Sequence, residues 1–133
     1  MPPIYTLGKQ ERLKSRKQLD ELFENGQVFS QPPFRISYRF SGGIEKEPAL
    51  KFGVGVSARH FKKAVHRNRI KRLIRESWRL QKHPLSELLA QQGRGLWVFI
   101  IFTGREMTDF KSVSEAMVRT QKKLLKLSSE TST

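Results

Sequence analysis

The stretch FGVGVSARHFKKAVHRNRIKRLIRESWRLQKHP, residues 52–84, changes its period halfway along. Phe52, Val54 and Val56 alternate with Gly53, Gly55 and Ser57, the period of two that marks a strand with one nearly bare face. Glycines weaken a strand, so two of them on one face mark a place where another backbone or a ligand comes close. Further on, the apolar residues recur at helical spacing: at 100° steps Ile70, Leu73, Ile74 and Ser77 fall on one side, with Trp78 and Leu80 at its margins. Asn68, Arg72, Arg75 and Arg79 line the opposite side, with Lys71 and Lys82 beside them. Val65 falls off the apolar face, which places residues 58–65 in a loop or a differently oriented turn and starts the helix near His66 or Arg67. Arg67, Asn68 and Arg69 are then expected at a helix N-terminus, where unpaired backbone N–H groups favour phosphate. Pro84 ends the helix, because proline disfavours helical geometry in the residue before it.

Upstream, Ser15 and Gly26 bracket RKQLDELFEN with the cap signals of a short helix whose Leu19, Leu22 and Phe23 share a face. Phe34, Ile36, Tyr38 and Phe40 then alternate with Arg35, Ser37, Arg39 and Ser41, as in a half-buried strand that Pro32 and Pro33 keep from starting earlier. Residues 41–48 are turn chemistry. Downstream, 85–92 add at most a short helical turn, and LWVFIIFT, between Gly95 and Gly104, is a continuous apolar run expected of a central strand covered on both faces. A last helix is expected from about Asp109 to Leu127, with Ser112 and Glu115 as a capping box and SSETST as a frayed tail. No internal repeat occurs. The whole chain, 1–133, is expected to be a single RNA-binding domain with an ordered core over about 12–127 and flexible ends at 1–10 and 128–133.

That a polyanion is the partner follows from charge. Twenty-six Lys and Arg against twelve Asp and Glu leave +14, which opposes compaction unless something neutralises it. Between Arg59 and Lys82 ten bases (Arg59, Lys62, Lys63, Arg67, Arg69, Lys71, Arg72, Arg75, Arg79, Lys82) accompany one acid, Glu76, so this segment carries +9 of the total. A merely solvated helix face mixes signs through i,i+4 pairs, and this one does not. Six of the ten are arginines, which suit bidentate phosphate contacts and base stacking. No apolar run reaches the ~18 residues of a membrane span, and the first ten residues lack a signal-peptide core, so nucleic acid is favoured over a membrane. The lack of cysteine removes disulfides and cysteine-ligated zinc and fits a reducing cytoplasm.

A protein nuclease would need converging acids, bases or metal-binding carboxylates. The histidines are His60, His66 and His83 and the aspartates Asp20 and Asp109; His60 and His66 flank the basic loop, where a phosphate contact or a solvated side chain is the better reading than an acid–base pair. No nucleotide-cradling or familiar hydrolase motif is present. A helix-turn-helix DNA binder would place a second helix three or four residues before the recognition helix, where this chain has a glycine-containing strand.

These residues resemble a known family. FGVGVSARHFKKAVHRNRIKRLIRES is similar to the signature of the bacterial ribonuclease P protein subunit, centred on Arg67-Asn68-Arg69 and continuing through Lys71-Arg72 to Arg75. RLKSRKQLDELFENG, residues 12–26, resembles the family's opening helix, and the likeness extends over about residues 12–127. It implies an α+β sandwich: a mixed sheet of about four strands with three helices, and a left-handed βαβ connection around the basic helix, as in the second domain of ribosomal protein S5. That hand would break the usual right-handed rule. It also implies a small basic subunit that pairs with ribonuclease P RNA, assisting Mg2+-dependent removal of the 5′ leader from precursor tRNA. In that family the RNA performs the hydrolysis and holds most of the magnesium, and the protein supplies no catalytic residue. Neither DNA nor membrane is implied as a partner.

Carried over by position, Arg67, Asn68, Arg69, Lys71, Arg72, Arg75 and Arg79 match the RNA-binding helix, with Arg59, Lys62 and Lys63 in the loop before it. A cleft for the single-stranded leader would be lined by Leu19, Phe23, Ser37 and Tyr38, as unpaired bases are read on aromatic faces. Three positions depart from the family pattern. Leu19 stands where the family often has an aromatic; Ser37, rather than Tyr38, matches the strand tyrosine by strict count from Phe34; and Ala58 replaces a usually basic residue. Tyr38 shares its face with Phe34, Ile36 and Phe40, so core and cleft remain open for it. A ribosomal or other structural RNA-binding protein would share the charge and need no leader cleft.

Overall fold

The structure is a computed structural model and describes residues 12–13, 15–42 and 50–130. The elements among these are α1 (Arg16–Asn25), β1 (Gln27–Gln31), β2 (Phe34–Gly42), β3 (Leu50–Val56), α2 (Ala64–Gln81), α3 (His83–Gln92), β4 (Arg94–Phe102) and α4 (Phe110–Glu130). The strands form a mixed sheet in the order β1-β2-β4-β3, with β1-β2 and β2-β4 antiparallel and β3-β4 parallel. The α+β sandwich therefore stands, with four helices among the described residues rather than three.

Register explains the layering. Ile36 pairs with Ile100 and Tyr38 with Val98, while Phe52 pairs with Val98 on the other side, so these residues project to one face. They form a core there with Ile70, Ile74 and Trp78 of α2, Leu85 and Leu89 of α3, and Val113, Met117 and Leu124 of α4. Trp78 sits at the centre of this core, not at the margin of its helix's apolar face. It is fully buried and stacks flat on Phe52, with ring centroids 4.2 Å apart and planes 8° from parallel.

Several expected boundaries move for local reasons. Pro32 and Pro33 do not simply delay a strand; they form the turn of a hairpin whose first arm is β1. Val28 and Phe29 are adjacent, one half-exposed and one turned inward, so β1 shows no alternation of apolar and polar residues. Pro84 stands in the first turn of α3, where its missing N–H costs nothing, and α3 is a full ten-residue helix closed by Gly93 in the left-handed region (φ 67°). At the end of α1, Gly26 is extended (φ −82°) and is needed for space instead. A Cβ there would stand 2.4 Å from the Leu22 carbonyl oxygen and 2.8 Å from that of Tyr38.

The cap of α4 is Asp109, not the Ser112–Glu115 box: its carboxylate accepts the Ser112 backbone N–H at 2.8 Å, and that bond holds the carboxyl below its usual range. The helix also runs past the expected frayed start at Ser128. That residue is buried, its hydroxyl donates to the Leu124 carbonyl at 2.8 Å, and its own carbonyl accepts from Arg94 Nη2 at 2.8 Å. The other expected flexible segments, 1–10 and 131–133, lie outside the described residues.

Candidate nucleic-acid interface

Seating α2 by Ile70, Ile74, Ser77 and Trp78 turns its charged side outward. Asn68, Arg69, Arg72 and Arg75 are exposed, and Lys71 and Arg79 half-buried. Lys82, expected beside them, is instead buried. The helix begins at Ala64, two to three residues before the expected start, with Lys63 at its cap and Val65 left in solvent at 68% exposure. Arg67, Asn68 and Arg69 therefore occupy the second turn and do not converge with the terminal N–H groups.

The preceding loop explains the early start. Phe61 is buried against Phe102 at 5.9 Å, its N–H donates to the Ser57 carbonyl at 3.2 Å, and Arg59 N–H donates to Ser57 Oγ at 3.1 Å. Arg67 completes the arrangement: its Nη1 donates to the Phe61 carbonyl at 2.7 Å and the Lys62 carbonyl at 2.8 Å. Arg59, Lys62 and Lys63 are thus held on a fixed loop with exposed side chains. Arg67→Ala should release that loop, detected as faster amide hydrogen exchange at residues 57–63 with no loss of protection in β4. Unchanged exchange there would mean that Phe61 alone anchors the loop.

Arg12, Asn68, Lys71, Arg72, Arg75, Glu76 and Arg79 line a groove of about 370 Å³. Its five cations face one acid, and that acid is committed to Arg79, with Arg79 Nε 3.3 Å from Glu76 Oε2. The bond to Glu76 raises the Arg79 pKa, whereas burial, and then the like charge of Arg12, lower that of Arg75. Such a groove favours an anion. Arg12 was missed by sequence reasoning because it lies some fifty residues before the basic helix; no local pattern joins the two.

The opposite face of the sheet carries a second surface under α1. Phe23 is 50% exposed, and its ring meets Phe99 edge to face, centroids 5.4 Å apart at 88°. Ser37 pairs in register with Phe99 on this face and is buried; Leu19 is half-buried on α1, and Glu21 of α1 forms an ion pair with Arg39 of β2. The two strand glycines receive their expected close neighbour here. A Cβ on Gly53 would lie 2.6 Å from the Phe99 ring and 2.8 Å from the Leu13 carbonyl oxygen, and one on Gly55 3.2 Å from the same ring.

Phe99 is the aromatic of this surface that the sequence concealed. It lies in the apolar run read as covered on both faces, yet Trp97, Phe99 and Ile101 on the outer side are only half-buried, because α1 shields that face incompletely. Tyr38 is a correction in the other direction. It points into the core at 6% exposure, between Phe29 and Phe40, and its hydroxyl donates to Gln27 Oε1 at 2.8 Å. Burial raises its phenol pKa. Leu19, Phe23 and Ser37 are brought together; Tyr38 is on the other side of the sheet.

Among the described residues, no three side chains of His, Cys, Asp and Glu come together to hold a metal ion, and no helix is long and apolar enough to cross a membrane.

Known proteins resemble this chain in sequence and in fold. A family model described as Ribonuclease P matches residues 7–125. A ribonuclease P protein component from Porphyromonas gingivalis is 35% identical over 126 residues, covering 95% of this chain and 89% of the relative. One from Dictyoglomus turgidum is 32% identical over 119 residues, covering 87% and 90%. Among solved structures, the RNase P protein of Thermotoga maritima superposes with a TM-score of 0.64 at 24% identity, over 85% of this chain and 96% of that one. That of Staphylococcus aureus gives 0.64 at 18%, over 84% and 93%. With a family match over most of its length and relatives above 30% identity spanning nearly all of it, the chain belongs to the ribonuclease P protein family.

Proposed function

We propose that this chain is the protein component of a ribonuclease P holoenzyme, docking ribonuclease P RNA on the α2 groove and the 5′ leader of precursor tRNA in the cleft under α1. The observation that carries the reading is the groove itself: five cations, four of them on α2 and the fifth Arg12, against one already paired acid, with the other side of the helix committed to the core. A row of guanidinium groups so placed neutralises phosphates in register along an RNA backbone. Arg59, Lys62 and Lys63 extend that row toward the start of the leader.

In this reading the RNA cleaves the phosphodiester, with water as nucleophile, leaving a 5′-phosphate on the tRNA. Magnesium, when bound by RNA phosphates, would supply the activated water, and no protein side chain is assigned a chemical step. The protein's part is to offset phosphate repulsion between two RNAs and to hold the leader extended. The setting is the cytoplasm, where precursor tRNA is processed.

Reconstitution tests it. Purified protein added to its cognate ribonuclease P RNA at low magnesium should stimulate cleavage of precursor tRNA at the mature 5′ end, with no cleavage by protein alone. Cleavage by the protein alone would make it a nuclease in its own right, and binding without stimulation would make it a structural RNA binder. In the same assay, Arg72→Ala and Arg75→Ala should each flatten the dependence of log K on log salt by about 0.9, the contribution of one phosphate contact on a duplex. Unchanged slopes in both would remove the groove as the docking site.

A further inference from the structure

We propose that Arg12 is a further RNA-binding residue, and that a phosphate held between Arg12 and Arg75 fixes the segment whose next residue, Leu13, walls the cleft under α1. The inference rests on the reading of α2 as an RNA-docking helix and adds a residue and a linkage to it.

The geometry begins at the free edge of β3, the last strand in the sheet order. Arg12 makes a parallel bridge to Phe52, and Leu13 N–H donates to the Phe52 carbonyl at 2.7 Å, so the pair continues the sheet by one short extended step. Successive side chains of an extended segment point to opposite faces. Arg12 accordingly reaches the groove of α2, on the core side of the sheet. Leu13 turns the other way, is 3% exposed, and brings its carbonyl oxygen over Gly53, the glycine that also accommodates the Phe99 ring. Two adjacent residues thus join two RNA surfaces that lie on opposite faces of one sheet.

Charge sets the direction of the coupling. Among the described residues Arg12 forms no ion pair, and the groove it enters already holds Lys71, Arg72 and Arg75 with Glu76 engaged by Arg79. Adding a fifth cation there is unfavourable until an anion bridges the row; burial first, and then the like charge of Arg12, lowers the pKa of Arg75. A phosphate between the two guanidiniums converts that repulsion into a tie. It holds the strap against β3 and keeps Leu13 over Gly53. Linkage is reciprocal, so RNA in the groove strengthens the leader cleft and an occupied cleft strengthens RNA docking.

The test uses the full chain with its cognate ribonuclease P RNA, comparing Arg12→Ala, Arg12→Lys and Arg72→Ala. Arg12 is exposed, so its replacement leaves the core untouched. Arg12→Ala should weaken assembly and lower the salt slope by about 0.9. At saturating protein, its preference for leader-bearing precursor over mature tRNA should fall at least about fivefold, further than that of Arg72→Ala at the same occupancy. Arg12→Lys should recover much of both. If the two alanine variants show the same leader preference at equal occupancy, the strap does not couple the surfaces. If Arg72→Ala weakens assembly and Arg12→Ala does not, Arg12 does not hold RNA. If neither changes assembly or slope, it is the docking role of α2 that fails.

Discussion

Trp78→Ala should destabilise the protein by about 3–5 kcal/mol, the usual result of emptying a large aromatic site in a core. The indole is fully buried, stacks on Phe52 at 4.2 Å, and joins the basic helix to the strand that bears the two glycines. A domain of this size has only about 5–15 kcal/mol in hand, and repulsion from a net charge of +14 works against it, so the variant would be partly unfolded under ordinary conditions. Denaturant titration followed by circular dichroism measures this directly. Trp78→Phe keeps a flat ring over Phe52 and should cost markedly less, which separates the stack from mere volume. RNA docking by Trp78→Ala should fall with the folded fraction and recover when RNA is added in excess, because ligand binding draws the equilibrium toward the native state. A midpoint equal to that of the unsubstituted protein would mean that the stack does not seat α2.

How much of this was legible beforehand depended on whether a signal was local. The amphipathic division of α2 was readable because Ile70, Ile74, Arg72 and Arg75 repeat at a period that only a helix reconciles. The alternation of Phe34, Ile36 and Tyr38 likewise marked β2 and its inward face, and that same alternation is why Tyr38 is core. Features set by tertiary neighbours were hidden. Nothing in QVFSQ marks β1, whose existence depends on pairing with β2 across the Pro32–Pro33 turn. Phe99 resembles every other apolar residue of its strand until α1 is placed on one face only. The glycines of β3 did signal a close approach, but its identity, a phenylalanine ring and the Leu13 carbonyl, needed the sheet register.

Separation of the two surfaces follows from the same layering. Core-forming helices occupy one face of the sheet, so the charged side of α2 points away from it and the other face is left to the short α1. A single four-stranded sheet thereby holds a cationic helix and an aromatic, half-exposed surface in fixed relation. If the first docks RNA and the second the leader, the first should depend on salt and the second on stacking, which makes them separable by experiment.

Phe23→Ala should act on the second alone. Its ring is half in solvent, so the fold loses little beyond the edge-to-face contact with Phe99, worth about 0.5–1.5 kcal/mol. If a leader base stacks on this pair, removing the ring costs about 1–3 kcal/mol per base, or roughly five- to 150-fold in affinity for leader-bearing precursor. Mature tRNA has no leader, so its affinity should hardly change, and the salt slope should remain that of the unsubstituted holoenzyme. Phe23→Tyr keeps the π-face and should retain most of the preference. Tyr38→Phe is the matching control: it deletes the hydroxyl bonded to Gln27 on the core side, so it should lower stability by about 1 kcal/mol and leave leader preference intact. Equal losses for precursor and mature tRNA in Phe23→Ala would place the leader elsewhere, and a leader-specific loss in Tyr38→Phe would put the cleft on the wrong side of the sheet.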